Sequence, residues 1–106
     1  MEDRIDLLVR EFRDALGRLY GPRLRGVFLY GSYARGEADQ ESDVDILVIL
    51  ADFERYGEEV ERTGYIGANL SLKYEVSISQ VFLREHEWLH GESPFLANAR
   101  EEVIPA

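Results

Sequence analysis

The sequence contains no cysteine, which excludes disulfide bonds and thiolate metal ligands. It also lacks a long apolar segment. The longest purely apolar run, residues 46–51, falls far short of the roughly 20 residues that a membrane-spanning helix needs. The first residues are acidic and lack the order of basic and then apolar residues that marks a secretion signal. These absences predict a soluble protein of the cytoplasm.

Positive charge is scarce, with 12 Lys and Arg against 21 Asp and Glu and a net charge of −9. Proteins that bind free nucleic acid usually carry a basic face, because phosphate contacts supply much of their affinity. The charge balance therefore argues against binding of free nucleic acid. A nucleotide held with a divalent cation remains compatible, since the cation supplies positive charge locally. The acidity also suits a basic protein partner, or solubility alone.

The length of 106 residues predicts one domain, over residues 1–106. Helical and strand patterns alternate along the chain, which predicts an α+β domain with an α/β-type mixed sheet flanked by helices. An amphipathic helix is expected over 3–20 and ends at Gly21-Pro22. Its apolar stripe consists of Ile5, Leu8, Val9, Phe12, Ala15, Leu16 and Leu19.

The remaining elements follow from the period of the apolar residues and from turn residues. Strands are predicted over 27–30, 43–50, 74–82 and 103–104, and helices over 32–36, 53–72, 84–90 and from Ser93-Pro94 onward, with Phe95, Leu96 and Ala99 facing inward. In the strand over 74–82, strict alternation places Glu75 on the face opposite the apolar side chains.

The most informative stretch of the sequence is residues 27–50. In it, a strand turns sharply at Gly31-Ser32 and a second strand follows. A turn that enters a helix aims backbone N–H groups outward, so it favours an anion such as phosphate. The hydroxyl of Ser32 adds a donor, and Arg35 adds a cation for a polyphosphate. A Gly-Ser turn alone is common and has little specificity.

Two carboxylates, Asp43 and Asp45, begin the second strand. Residues two apart on a strand share a face, roughly 6–7 Å from each other. Such carboxylates repel unless a cation lies between them, and oxygen ligands of this kind suit Mg²⁺. The alternative is a pair of solvated residues at a strand start. Asp45 nevertheless lies between Val44 and Ile46, where an uncompensated charge is costly.

The combination of Gly31-Ser32, residues 33–42 and then Asp43-x-Asp45 resembles the signature of the nucleotidyltransferase superfamily of the DNA polymerase β type. The sequence GSYARGEA…SDVDILV is similar to that of minimal nucleotidyltransferases, which are often encoded beside a HEPN-domain partner. The resemblance implies a nucleotidyltransferase fold, in which a small mixed sheet carries the site and ATP or another NTP donates the nucleotide.

The resemblance also implies a role for each matching residue. Gly31 and Ser32 would hold the triphosphate, with Arg35 as a further contact, and the two aspartates would bind a pair of Mg²⁺ ions. A third carboxylate usually comes from a neighbouring strand, where it binds metal and helps to deprotonate the attacking hydroxyl. Glu75 is the candidate here, although it is longer than the usual aspartate. The predicted catalytic and metal set is therefore Asp43, Asp45 and Glu75.

For the minimal nucleotidyltransferases, the resemblance implies AMP transfer to a tyrosine of a HEPN toxin, as the antitoxin of a type VII-like toxin–antitoxin system. The chain has little room for an acceptor domain, so we expect a partner to supply the acceptor. The alternative is a catalytically weak or inactive module that masks its partner. The nucleobase preference and a homo-oligomeric state stay open.

A second motif, His86-Glu87-x-x-His90, matches the helix of zinc metalloproteases. On a helix, the two histidines would share a face and bind Zn²⁺, with Glu87 as the base. A third protein ligand would have to come from Glu92 or Glu101. The competing interpretation is a surface helix that packs on the sheet.

Overall fold

The computed structural model describes residues 3–106, and the predicted domain range extends beyond them only by residues 1–2. The elements in chain order are α1 (Asp3–Tyr20), a 3₁₀ turn (Gly21–Arg23), β1 (Leu24–Tyr30), α2 (Gly31–Arg35), β2 (Val44–Leu50), α3 (Tyr56–Tyr74), β3 (Ile78–Arg84), α4 (Glu85–His90), α5 (Pro94–Glu102) and β4 (Ile104–Pro105). Within this described part, no helix is both long and apolar enough to cross a membrane.

The four strands form one sheet in the order β3-β2-β1-β4. Strand β1 is antiparallel to β2 and β4, whereas β2 and β3 are parallel. This arrangement confirms the predicted mixed sheet. Strand β2 is central, and every residue of it except Asp45 is buried. A continuous apolar run is expected for a strand that is covered on both faces.

Helix α1 covers the sheet with the predicted apolar stripe. Ile5, Leu8, Phe12 and Leu16 are each 0% exposed. The last member of the predicted stripe is wrong, since Leu19 is 36% exposed. The buried position at the end of the helix is taken by the neighbouring Tyr20, which lies at 5% exposure.

Helix α3 extends to Tyr74, two residues beyond its predicted end. Its last turn is held against α1, because Lys73 forms an ion pair of 2.7 Å with Glu11 and the Tyr74 hydroxyl donates to the same carboxylate. The predicted strand over 74–82 is therefore wrong in its first part, and β3 begins only at Ile78. Contacts between the two helices outweigh the local alternation of apolar and polar residues.

Glu75 is consequently not a strand residue, as the alternation had predicted. It caps the C-terminus of α3 in the left-handed conformation, with φ 54° and ψ 46°. Its side chain is exposed. The structural basis on which Glu75 was chosen as a third carboxylate is thus absent.

Helix α5 begins as predicted, with Ser93 as its N-cap and Pro94 in the first turn. The Ser93 hydroxyl oxygen accepts a hydrogen bond of 3.2 Å from the N–H of Leu96. Leu96 and Ala99 are buried, but Phe95 is 42% exposed and does not join the core as predicted. Strand β4 follows directly and pairs with the end of β1. This pairing holds α5 against the edge of the sheet where β1 ends.

Candidate active site

The end of β1 and the start of β2 meet where the chain enters α2. Tyr30 pairs with Asp45 across the two antiparallel strands. Gly31 follows with φ 75°, and a Cβ atom at this position would overlap the carboxylate of Asp45. Only glycine lets the turn approach the carboxylate so closely. The sequence pattern of a glycine followed by a distant aspartate therefore has a direct steric meaning.

Four of the six predicted site residues line one cavity of about 350 Å³: Gly31, Ser32, Arg35 and Asp45. Three of them come from α2, which ends at Gly36 in the left-handed conformation. Asp43 lies outside the strand, one residue before β2 begins, and is exposed. The cavity walls come from β1, α2, β2 and α5.

The charges around Asp45 are unbalanced. Burial raises the pKa of its carboxyl group, the negative charges of Asp43 and Glu102 raise it further, and only Arg35 acts in the opposite direction. A hard divalent cation beside the two aspartates would relieve this repulsion, so the donor set fits Mg²⁺. Within residues 3–106, no group of three His, Cys, Asp or Glu side chains is arranged to hold a metal ion. The two aspartates would therefore supply only part of the coordination of such a cation.

Strand β3, the parallel neighbour of β2, and the residue before it place two serines along the start of β2. Asp45 pairs with Ser79, and the N–H of Val44 donates to the carbonyl of Ser77 over 2.8 Å. The β3 residue paired with Asp45 is therefore a serine, and not the carboxylate that the resemblance implies for a neighbouring strand. Glu75 lies before this strand, on the cap of α3.

Sequence reasoning missed Glu102, the last residue of α5. Its Oε1 accepts a hydrogen bond of 3.2 Å from the N–H of Gly31, and both its carboxylate oxygens lie 3.3 Å from Nη1 of Arg35. Arg35 also binds Glu37 at 2.8 Å. The available signal was the spacing of Phe95, Asn98 and Glu102, which share one face of a helix. All three line the same cavity.

Tyr30 is the second residue that sequence reasoning missed. Burial, followed by the charge of Asp45, raises the pKa of its hydroxyl to about 12, so the group stays protonated at neutral pH and can donate a hydrogen bond. Its ring meets that of Phe95 edge to face at 5.9 Å. The cavity thus combines an aromatic wall with charged groups.

The second motif forms α4, and the rings of His86 and His90 lie 5.1 Å apart. Glu87 is engaged in capping this helix, because its carboxylate accepts from the N–H of Arg84 over 2.9 Å. Trp88 packs against Phe28 with ring centroids 5.4 Å apart, as expected for a helix that lies on the sheet. The zinc site stays a prediction.

Comparison with known proteins gives evidence about the family and the fold that is independent of the site geometry. A family model for the nucleotidyltransferase domain matches residues 9–103. The protein adenylyltransferase MntA of Thermococcus cleftensis is 35% identical over 74 residues, which are 70% of this chain and 73% of the relative. A structure described provisionally as a minimal nucleotidyltransferase has a TM-score of 0.62 at 24% identity, with 99% of this chain and 97% of that chain covered. One chain in a structure of a tri-AMPylated Shewanella oneidensis HEPN toxin with an MNT antitoxin has a TM-score of 0.52 at 18% identity, covering 92% of this chain and 70% of that chain.

Proposed function

Because the chain belongs to the nucleotidyltransferase domain family, we propose that it transfers AMP from ATP to a hydroxyl group of a protein. The observation that carries the proposal is the meeting of the Gly31 turn, Arg35 and Asp45 in one cavity. Donors for an anion and a partly buried carboxylate lie side by side there, as a metal-bound triphosphate requires. The adenylyltransferase name of the Thermococcus relative supports AMP as the transferred group.

In this proposal, the triphosphate is held by the N–H of Gly31, the hydroxyl of Ser32 and the guanidinium of Arg35. Asp43 and Asp45 hold Mg²⁺ together with the phosphates. Bound there, Mg²⁺ would neutralise phosphate charge and stabilise the attacking and leaving oxygens. The repulsion that raises the pKa of Asp45 would then turn into a favourable interaction.

The reaction is an in-line displacement at the α-phosphorus. The acceptor hydroxyl oxygen forms a bond to this phosphorus, the bond to the bridging oxygen of the β-phosphate breaks, and pyrophosphate leaves. The hydroxyl proton passes to solvent or to a carboxylate of the site. Such a transfer depends mainly on positioning and on charge stabilisation, which need no covalent help from the protein.

We propose a tyrosine of a HEPN-type toxin as the acceptor, with this chain as the antitoxin. The support is the likeness to a chain crystallised with a tri-AMPylated HEPN toxin. The exposed Phe95 at the cavity wall is consistent with an acceptor that arrives from outside the chain.

The proposal is tested by incubating the protein with Mg²⁺, ATP labelled at the α-phosphate and a candidate HEPN-type partner protein. We expect label on a tyrosine of the partner, found by mass spectrometry. Chelation of Mg²⁺ or the substitution Asp45→Asn should abolish the label. Absence of label with the wild-type chain, while the partner still binds, would refute the enzymatic function.

One observation favours a second candidate, in which the chain masks its partner without catalysis. Strand β3 places Ser79, and not a carboxylate, opposite Asp45, and residues 3–106 hold no three-acid metal group. In that case, the partner's activity would be silenced equally by the wild type and by Asp45→Asn, with no need for ATP. If the partner's activity is silenced only when ATP is present, this candidate function is excluded.

A further inference from the structure

The carboxylate of Glu102 lies on the donors that the proposed nucleotide site offers to phosphate. It accepts from the N–H of Gly31 at 3.2 Å and binds Nη1 of Arg35 at 3.3 Å. Only 25% of its side chain is exposed, against 65% for Glu37, the other acid paired with Arg35. The partly buried carboxylate therefore fills a place that suits a phosphate oxygen.

The position of Glu102 in its own helix does not explain this contact. It is the last residue of α5, where the helix dipole disfavours a negative charge. The carboxylate also adds to the negative charge that acts on Asp45. Its favourable contacts in this region are therefore those with Gly31 and Arg35, across the cavity from α5.

We propose that Glu102 is a built-in competitor of the triphosphate, and that nucleotide binds only after this carboxylate has left the Gly31 N–H and Arg35. The inference rests on the proposed nucleotide function. One carboxylate and one phosphate oxygen cannot accept from the same N–H in the same place, and two anions that share Arg35 repel each other. Glu102 thus determines how tightly the nucleotide binds.

The release of Glu102 needs only a rotation of its side chain. The backbone after it is fixed, since the N–H of Val103 donates to the carbonyl of Ala99 at 3.0 Å and Ile104 pairs with Leu29. The helix and strand on either side of Glu102 can therefore stay in place while the carboxylate turns towards solvent.

The test is isothermal titration of the full chain with two probes in the presence of Mg²⁺: a non-hydrolysable ATP analogue and inorganic tripolyphosphate. Glu102→Gln keeps the side-chain shape but removes the charge, and Glu102→Ala removes the acceptor altogether. Glu101→Gln is the matched control, because Glu101 is exposed, adjacent and equal in charge.

We expect both Glu102 variants to lower the Kd for both probes, by a factor on the order of ten for a charged hydrogen-bonded group. Glu101→Gln should leave both constants within about twofold of wild type, because exposed charges act weakly. The gain for tripolyphosphate is essential, since the competition concerns the phosphate donors.

An unchanged or higher Kd in the Glu102 variants, with wild-type binding intact, would overturn the inference and leave the proposed function standing. An equal gain in Glu101→Gln would also overturn it, because general charge would then be the cause. If neither probe binds to the wild type or to any variant, the proposed nucleotide function itself fails, and the role of Glu102 fails with it.

Discussion

The turn at Gly31 and the carboxylate of Asp45 share a space that no side chain at position 31 could enter. A Cβ atom built on Gly31 would overlap this carboxylate, and the residue has φ 75°. Position 31 is thus restricted twice, by its backbone conformation and by its neighbour. The close approach brings the N–H of Gly31 and the carboxylate of Asp45 to one cavity.

Gly31→Ala should therefore abolish nucleotide binding and reduce stability. The left-handed conformation alone costs a residue with a Cβ about 1–2 kcal/mol, and displacement of Asp45 adds to that cost. The matched control is Gly36→Ala, because Gly36 has φ 74° but no atom within 4 Å of its Cβ position. Chemical denaturation should show a loss in both variants, whereas nucleotide titration should show a loss only in Gly31→Ala. Equal nucleotide binding by the two alanine variants would contradict the steric argument.

Asp45→Asn should reduce transfer and raise stability at the same time. Burial and the charge of Asp43 raise the pKa of Asp45 above its ordinary value of 3.8. A group whose pKa is higher in the folded state costs stability as the pH rises through the interval between its unfolded and folded pKa values, and this cost persists at higher pH. At pH 7 the variant, which lacks the charge, should therefore melt at a higher temperature than wild type.

Two measurements check this trade-off. Transfer to the partner should fall by at least about a hundredfold, because the proposed Mg²⁺ site loses one of its two carboxylates and with it the electrostatic stabilisation of the reaction. The gain in melting temperature should shrink towards about pH 3, where the wild-type carboxyl is protonated as well. A lower melting temperature of the variant at pH 7 would mean that Arg35 already compensates the charge of Asp45.

Far from the cavity, the buried carboxylate of Glu59 joins α3 to α1. It is 3% exposed, and both the Tyr20 hydroxyl and Nη1 of Arg62 lie 2.6 Å from its Oε1. Burial alone would oppose its ionisation, but these two hydrogen bonds prevail and lower its pKa below 4.5. The ionised Glu59 therefore stabilises the fold above pH 4.5, its ordinary pKa. This contribution is lost as the pH falls through the lowered pKa of the folded state.

Tyr20→Phe should cost about 1–3 kcal/mol at pH 7, because a buried ionised acceptor loses one of its two donors. Urea denaturation at pH 7 and in acid measures the effect, which should be smaller in acid. Tyr65→Phe provides the control, since Tyr65 lies on α3 with 59% exposure. A loss of the same size in the control would mean that removal of any tyrosine hydroxyl, and not loss of the contact with Glu59, lowers stability.

The part of the site that sequence alone predicted is the part that is local in the chain. Gly31, Ser32, Arg35 and Asp45 lie on one continuous strand–turn–helix–strand segment, so a single motif within that segment contains all four. Glu102 reaches the same cavity from a helix 71 residues away from Gly31. A local sequence pattern cannot reveal a contact between residues so far apart in the chain.

The misplacement of Glu75 has the opposite cause. The local pattern was clear, with apolar and polar residues alternating from Tyr74, but a contact distant in sequence decided the structure. Glu11 of α1 holds Lys73 and Tyr74 in the last turn of α3, and the helix continues to that point. Short alternating segments are easily overridden in this way by packing between elements.

The role of Glu75 leads to a prediction with two readouts. Because Glu75 is exposed and has φ 54°, replacement by glycine should relieve backbone strain and raise the free energy of unfolding by about 0.5–1 kcal/mol. Glu75→Gln, which keeps a Cβ, should leave stability unchanged. Both variants should transfer AMP at the wild-type rate if Asp43 and Asp45 with the phosphates suffice for the metal. A fall in transfer of about a hundredfold in both variants, with nucleotide binding intact, would instead establish Glu75 as the third carboxylate, brought to the metal by a rearrangement of the α3 cap.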